Sequence, residues 1–299
     1  MVRWSSGNVS QTAANMALIR ALETQKPPDQ RLFSDPFAWR FLPLWQRALL
    51  SLARLPPWRR IVEGIFDGRA PGARTSGSAR TRLIDDWTRE AVRDGLQQVV
   101  IMGAGYDCRA LRLKELHAIL AIELDRPQMI VVKSRLLADV RVGQIVRVPI
   151  DFLREGIEER LGKTGYSFHA RTLFIWEGVT NYLNAASVDA AFETFARAAA
   201  GSRVIFTYVH ADAITGQFSA PGLAQLLARL RRIGEAWTFG FYPEVLPEYL
   251  TRWGFRLIAD LGAVEYRARY WSPVEQPEGY EFYRAVLAEK MVPISDLKR

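Results

Sequence analysis

Residues 99–111 read VVIMGAGYDCRAL. An apolar, β-branched run leads into Gly-Ala-Gly and then into a helix start, so the turn marks the carboxyl end of a strand. In an open α/β sheet, ligands sit beyond the carboxyl ends of the strands, where strand order reverses. Gly103 and Gly105 lie at such a point with Ala104 between them. A residue without Cβ lets a ligand approach the backbone closely. The third glycine of a dinucleotide fingerprint would fall at position 108, which is Cys108. A G-x-G alone also describes an ordinary turn.

Outward from this turn, short apolar runs alternate with helical segments: QQVVIM, AILAIEL, GQIVRVPI, TLFIW, RVIFTYV and FRLIAD. That alternation predicts an α/β fold, doubly wound and Rossmann-like, with a mostly parallel sheet and helices on both faces. The last run, YEFYRAVLA, follows a Pro-containing loop and is expected to return as an antiparallel edge strand. Asn184 can cap a helix whose apolar stripe is Val188, Phe192 and Phe195, and Gly201 stops it. The first 95 or so residues hold helical patterns and no strand. Residues 11–24 have helical apolar spacing, Asp35-Pro36 reads as a helix start, and residues 78–93 are amphipathic. Between them GRAPGARTSG, residues 68–77, is rich in Gly and Arg and is expected to be mobile. The organisation predicted is an N-terminal helical cap or lid at 1–95 and a ligand-binding core at 96–299. An insertion at about 210–250 carries its own helix at 223–233.

The 299 residues are 49% hydrophobic and 24% charged, as expected of a globular protein. No run approaches the roughly 18 apolar residues of a membrane span, and the opening MVRWSSGNVSQTAANM lacks a signal-peptide core. One cysteine cannot form an internal disulfide, so a cytoplasmic protein is expected, with no cysteine-based metal site. Forty basic against 32 acidic residues give a net charge of +8, which attracts anions. The basic residues are dispersed and no nucleic-acid motif is present. The expected partner is a small, possibly anionic molecule rather than nucleic acid or a membrane.

Two further strand ends carry acids. AILAIELDRP places Glu123 and Asp125 there, Glu123 lying 20 residues after Gly103, where an acid can accept hydrogen bonds from ribose hydroxyls. VPIDFL offers Asp151, with Phe152 beside it for an adenine edge. Three consecutive strand ends suited to a nucleoside favour an adenosine ligand. NAD and S-adenosylmethionine both qualify. A pyrophosphate needs close approach to a helix N-terminus, which the missing third glycine disfavours. A methionine moiety needs an acid and a cation instead. Glu177, at the end of TLFIWEG, supplies the acid, and Arg80 or Arg82 the cation. An NAD(P)-dependent oxidoreductase remains one alternative; a scaffold with a non-methylating role, a cyclase or binding module, is another.

ARTRLIDDW, VVIMGAGYDCRALRL, IELDRPQMI and TLFIWEGVTNYL occur in this order at characteristic spacing. The series resembles the leucine carboxyl methyltransferase family, including its bacterial S-adenosylmethionine-dependent branch, over nearly the whole chain. The resemblance implies the class I methyltransferase fold, a seven-stranded sheet whose last hairpin is antiparallel. It implies that Arg80 binds the cofactor carboxylate and that Gly103, Ala104 and Gly105 line its methionine part. Asp125, with Glu123 near, would hold the ribose; Asp151 and Phe152 would flank adenine; Glu177 would sit by the amine. The eukaryotic branch has a lysine near its N-terminus that helps bind the carboxylate. Here no lysine precedes Lys26, and Gln11 and Thr12 occupy that neighbourhood.

Methyl transfer needs alignment and exclusion of water. A carboxylate acceptor is already ionised at neutral pH, whereas a phenol or alcohol usually needs a base. His117 and His169 precede strands, away from the ligand side. His210 follows RVIFTYV on the ligand side, and Tyr208 two residues earlier shares its face if the strand continues. Both, with Tyr182 of EGVTNYL, are candidates for substrate contact or base. Cys108 is expected to be a packing residue. Arg69 and Arg74 of the 68–77 stretch are candidates to close over an anion, and Trp237, Phe239, Phe241 and Tyr242 to wall an acceptor pocket. The expected activity is O-methylation of a small molecule, with a carboxylate favoured over a phenol or alcohol because no strand end offers an unmistakable base.

Overall fold

Apolar runs too short for helices become strands when helices can cover both their faces, and seven do so here. The computed structural model describes residues 10–271 and 280–292. The opening segment 1–9, the Pro-containing loop at 272–279 and residues 293–299 lie outside the described residues. The strands are β1 (Gln98–Met102), β2 (Leu120–Asp125), β3 (Gln144–Pro149), β4 (Thr172–Trp176), β5 (Arg203–Val209), β6 (Phe255–Gly262) and β7 (Tyr283–Lys290). They form one sheet in the order β3-β2-β1-β4-β5-β7-β6. β1 to β5 pair in parallel, and β7 is antiparallel to β5 and β6. The last strand therefore runs in the expected direction but is not an edge. It is inserted between β5 and β6, and β6 takes the edge.

Alternation along the strands divides the core into two layers. Val100, Met102, Phe174, Trp176, Val204 and Phe206 face one way, under Val188, Phe192 and Phe195 of the helix Ala185–Ala196. Asn184 caps that helix as expected, accepting from the Ser187 N–H. Val99, Ile101, Leu173, Ile175 and Ile205 face the other way, under Leu83, Ile84 and Trp87.

The N-terminal region is helical: α1 (Gln11–Thr24), α2 (Leu44–Leu52), α3 (Pro56–Arg69) and α4 (Ala73–Arg93). Two expectations need correction. Asp35 does accept from the backbone N–H groups of Phe37 and Ala38, but it opens a single 3₁₀ turn, Ala38–Phe41, rather than an α-helix. The 68–77 stretch is not a mobile loop. Gly68 and Arg69 end α3, Gly72 turns the chain with φ 72°, and Ala73 already begins α4. Arg74 is held by Asp67 at 2.6 Å, so it is not poised to close over a ligand.

α1 packs on the glycine turn itself. Tyr106 stacks on Phe41 with ring centroids 4.3 Å apart. Arg20 donates to the Tyr106 carbonyl at 2.5 Å and to Asp35 at 2.8 Å. α1 and the 3₁₀ turn Ala38–Phe41 thereby pack against the glycine turn at the carboxyl end of β1.

Candidate active site

Strand order reverses between β1 and β4, and a cavity of about 890 Å³ opens there. That is toward the upper end for small-molecule sites. Its floor is the carboxyl end of the sheet: the Gly103–Gly105 turn, Asp125, Asp151, Phe152 and Glu177. α1 contributes Thr12 and Met16, α4 contributes Arg80, and the insertion contributes Leu226, Arg229 and Trp237. Sequence-distant candidates thus share one wall, because five parallel strands end on the same side.

The glycine turn is tight for a physical reason. Gly103 has φ 63°, and a Cβ there would lie 2.2 Å from a methyl of Val179. Gly105 has φ 43° and donates its N–H to Asp125 Oδ2 at 2.5 Å. The other oxygen of Asp125 accepts the Arg126 N–H at 2.6 Å. Burial pushes the Asp125 carboxyl above its ordinary range, and the two N–H bonds only partly restore it.

Glu177 sits between two arginines. Oε1 accepts from Arg80 Nε at 2.9 Å and Oε2 from Arg109 Nη1 at 2.7 Å. Burial raises its pKa, but Arg109 and Arg80 more than reverse that, so it lies below the usual value. Arg80 lies over the Tyr283 ring at 4.5 Å, and its Nη1 has no hydrogen-bond partner among the described residues. Arg109 also binds Asp107 and Asp85, and Arg112 binds Asp85. Burial pushes Asp107 up, yet Arg109, Arg20, Lys133 and Arg112 together hold it at about 2. This buried network fixes the acid and the cation at the cavity edge. Arg82, the other cation considered, pairs with Asp86 and does not line the cavity.

Three candidates are corrected. Glu123 is fully buried inside the sheet, ion-paired with Lys133 at 3.0 Å and with its register partner Arg147 at 2.8 Å, and it lies off the cavity wall. Tyr208 is fully buried and donates to Asp260 at 2.8 Å, away from the cavity. His210 leaves the sheet and caps the short helix Ala211–Thr215, its Nδ1 accepting from the Asp212 N–H at 3.3 Å. It stands outside the cavity, between Phe218 and Tyr242. Tyr182 does line the cavity, its hydroxyl 3.3 Å from Thr12 Oγ1. Of the insertion aromatics, Trp237 lines the cavity, while Phe241 packs in the core against Tyr208 and Phe239.

Asp107, Arg109, Arg229 and Glu235 are not marked as site residues by the sequence, and Thr12 is marked only as standing where the eukaryotic branch has its lysine. Asp107 and Arg109 stand within the quoted GAGYDCRAL, where a D-x-R spacing beside a glycine turn is the signal. Nothing in the sequence around Glu235 points to α1.

Residues 13–196 match the family model described as Leucine carboxyl methyltransferase. A protein of Mycobacterium avium (strain 104), provisionally named an S-adenosyl-L-methionine-dependent methyltransferase, is 32% identical over 271 residues, covering 85% of each chain. A relative of the same name from Mycolicibacterium paratuberculosis is 31% identical over 267 residues, covering 84% of this chain and 82% of its own. Among solved structures, a methyltransferase so named provisionally from Thermobifida fusca superposes with TM-score 0.54 at 16% identity, over 91% of this chain and 97% of its own. A DUF574-family protein from Streptomyces avermitilis gives 0.56 at 12% identity, over 95% and 98%. These two report on the fold alone, and the fold agrees. With the family model spanning most of the chain and a cavity where strand order reverses, the chain belongs to the leucine carboxyl methyltransferase family of S-adenosylmethionine-dependent methyltransferases.

Proposed function

We propose that the cavity holds S-adenosylmethionine against the glycine turn and, beside it, a small anionic acceptor methylated on a carboxylate oxygen. The residues present fit the cofactor. The Gly103–Gly105 turn keeps side chains out of the cavity floor. Each oxygen of Asp125 has accepted one N–H and retains capacity for a ribose hydroxyl. Phe152 and Asp151 offer an apolar face and an acceptor to adenine. The open Nη1 of Arg80 suits a carboxylate, and Glu177 suits an ammonium. Bound there, the cofactor supplies a methyl group on a positively charged sulfur.

The observation that carries the acceptor class is the chemistry of the outer half of the cavity. Phe66, Leu226, Leu230 and Phe282 make it apolar, while Arg69 and Arg229 line it without an ion-pair partner among the described residues. No histidine lines it. Burial pushes the Tyr182 hydroxyl up to about 12, so at neutral pH it donates and does not serve as a base. An ionised carboxylate needs no proton removed. Arg69 and Arg229 attract and orient it, and the apolar wall excludes water around it.

Transfer of label from methyl-tritiated S-adenosylmethionine to a panel of carboxylic acids and phenols tests the reading. Base-labile label, released as methanol by mild alkali, is the expected outcome. Base-stable label on phenols alone overturns the carboxylate assignment. Calorimetric titration with S-adenosylhomocysteine tests cofactor binding separately.

A further inference from the structure

α3 is a helix of 14 residues with no buried residue, and α2 buries only Leu50. Both are rich in apolar side chains. Trp45, Leu49 and Leu52 on α2, and Trp58, Ile61 and Ile65 on α3, are each 42–60% exposed. Within each helix they recur at spacings of three and four, so each helix presents one apolar stripe. Leu44 and Leu55, at 74% and 55%, extend the patch across the start of α2 and the turn before α3. α2 and α3 pack against each other, and exposed apolar side chains gathered on neighbouring helices mark interaction surfaces.

The charge of the same segment names the occupant. Residues 36–62 contain Arg40, Arg47, Arg54, Arg59 and Arg60 and no acid. Arg40 is neutralised by Asp139. The other four form no ion pair among the described residues; Arg54 meets the neutral Gln25, and Arg47 meets two carbonyls. The first acids beyond, Glu63 and Asp67, are both taken by Arg74. Exposed tryptophans beside unpaired arginines suit the headgroup level of a bilayer, where indole and guanidinium are at home and the aliphatic side chains reach the acyl boundary. A second copy of the chain fits poorly, because a two-fold interface would oppose this positive charge to itself.

We propose that the α2–α3 hairpin docks the protein on the surface of an anionic lipid bilayer. It lies in the interface and does not cross it: no helix among the described residues is long and apolar enough to span a membrane. The expectation of no membrane partner rested on the absence of a spanning run, and an interfacial hairpin needs none. Docking has a functional consequence through continuity. α3 ends in Phe66, Gly68 and Arg69, which line the cavity. The bilayer thus borders the acceptor half, and an amphipathic acid held in lipid reaches the site without crossing water.

Co-sedimentation of the full chain with vesicles tests this. One set is phosphatidylcholine alone; the other contains phosphatidylglycerol. Binding to the anionic vesicles that weakens with added salt is expected. R59Q/R60Q lowers the partition coefficient by roughly thirtyfold, about fivefold per charge removed, and W45Q/W58Q lowers it at least tenfold. Unchanged S-adenosylhomocysteine affinity in both variants shows that they fold. A wild-type protein that stays in the supernatant with phosphatidylglycerol vesicles at low salt overturns the proposal. So does a dimer, seen by analytical ultracentrifugation, that W45Q/W58Q dissociates. Neither result bears on whether the cavity binds cofactor.

Discussion

Thr12 and Glu235 stand 223 residues apart in the chain, and Thr12 Oγ1 donates to Glu235 Oε2 at 2.5 Å. The same carboxylate accepts the backbone N–H groups of Gln11 and Thr12 at the start of α1, where a helix N-terminus favours an anion. Tyr182 in turn donates to Thr12. The insertion, the loop after β4 and the first helix are thus tied over one side of the cavity. Glu235→Ala releases all three donors and is expected to weaken S-adenosylhomocysteine binding about tenfold, which corresponds to about 1.4 kcal/mol. Calorimetry measures it; an unchanged affinity would show that α1 closes the cavity without this tie.

Asp125 gives a pH signature. Its folded value lies above the ordinary carboxylate value of about 3.9. The free protein therefore gains stability as pH falls through that window, while a ligand that needs the ionised carboxylate loses affinity there. Binding of S-adenosylhomocysteine is expected to weaken on acidification at a pH above that of an unperturbed aspartate. Asp125→Asn should bind at least tenfold more weakly at neutral pH and show no such acid limb.

Glu177→Ala leaves Arg80 and Arg109 facing each other with one fewer acid between them. Both guanidiniums are buried, at 6% and 3% side-chain exposure, so the substitution is expected to cost about 3 kcal/mol in urea denaturation. Glu177→Gln, which keeps an acceptor, should cost less. Asp107 adds a pH term of opposite sign to that of Asp125. Its folded value of about 2 is depressed, so its contribution is full above about 3.9 and lost as pH falls toward 2.

His210→Ala and Tyr208→Phe are expected to leave kcat/KM for methyl transfer within about twofold of wild type, since neither residue lines the cavity. Tyr208→Phe should still lower stability by about 1 kcal/mol, because Asp260 loses a buried donor. A hundredfold fall in kcat for either variant would return it to the chemistry.

Arg69→Ala with Arg229→Ala should raise KM for a carboxylate acceptor about tenfold or more with little change in cofactor affinity. Steady-state kinetics in both substrates separates the two effects.

What was legible in the sequence followed from local rules. Strand alternation marked the seven apolar runs, and the glycine turn with Asp125, Asp151 and Glu177 at strand ends marked the cavity floor. What was not legible depended on neighbours from distant segments. Glu123 shares a strand face with Asp125, but it lies opposite Arg147 in register and beneath Lys133, and no local pattern reveals that pairing. The alternation that put Tyr208 and His210 on one face assumed that the strand continued; the chain instead turned into a capped helix at His210. Gly and Arg in 68–77 suggested mobility, whereas one left-handed glycine between two helices accounts for that composition. The position of β7 is not legible because strand order is set by pairing between distant segments: β7 pairs with β5, more than seventy residues earlier, as well as with β6.

That position bears on how the molecule is made. β7 lies between β5 and β6, so β6 can join the sheet only after residue 290 has been synthesised. During translation β1 to β5 can assemble while β6 waits, its edge unpaired and open to other chains. A nascent protein stalled before residue 283 would carry a nearly complete cofactor floor and an unfinished sheet. The interval in which the sheet is open to wrong pairing is therefore the one between the synthesis of β6 and that of β7, after the parts that hold the ligand have formed.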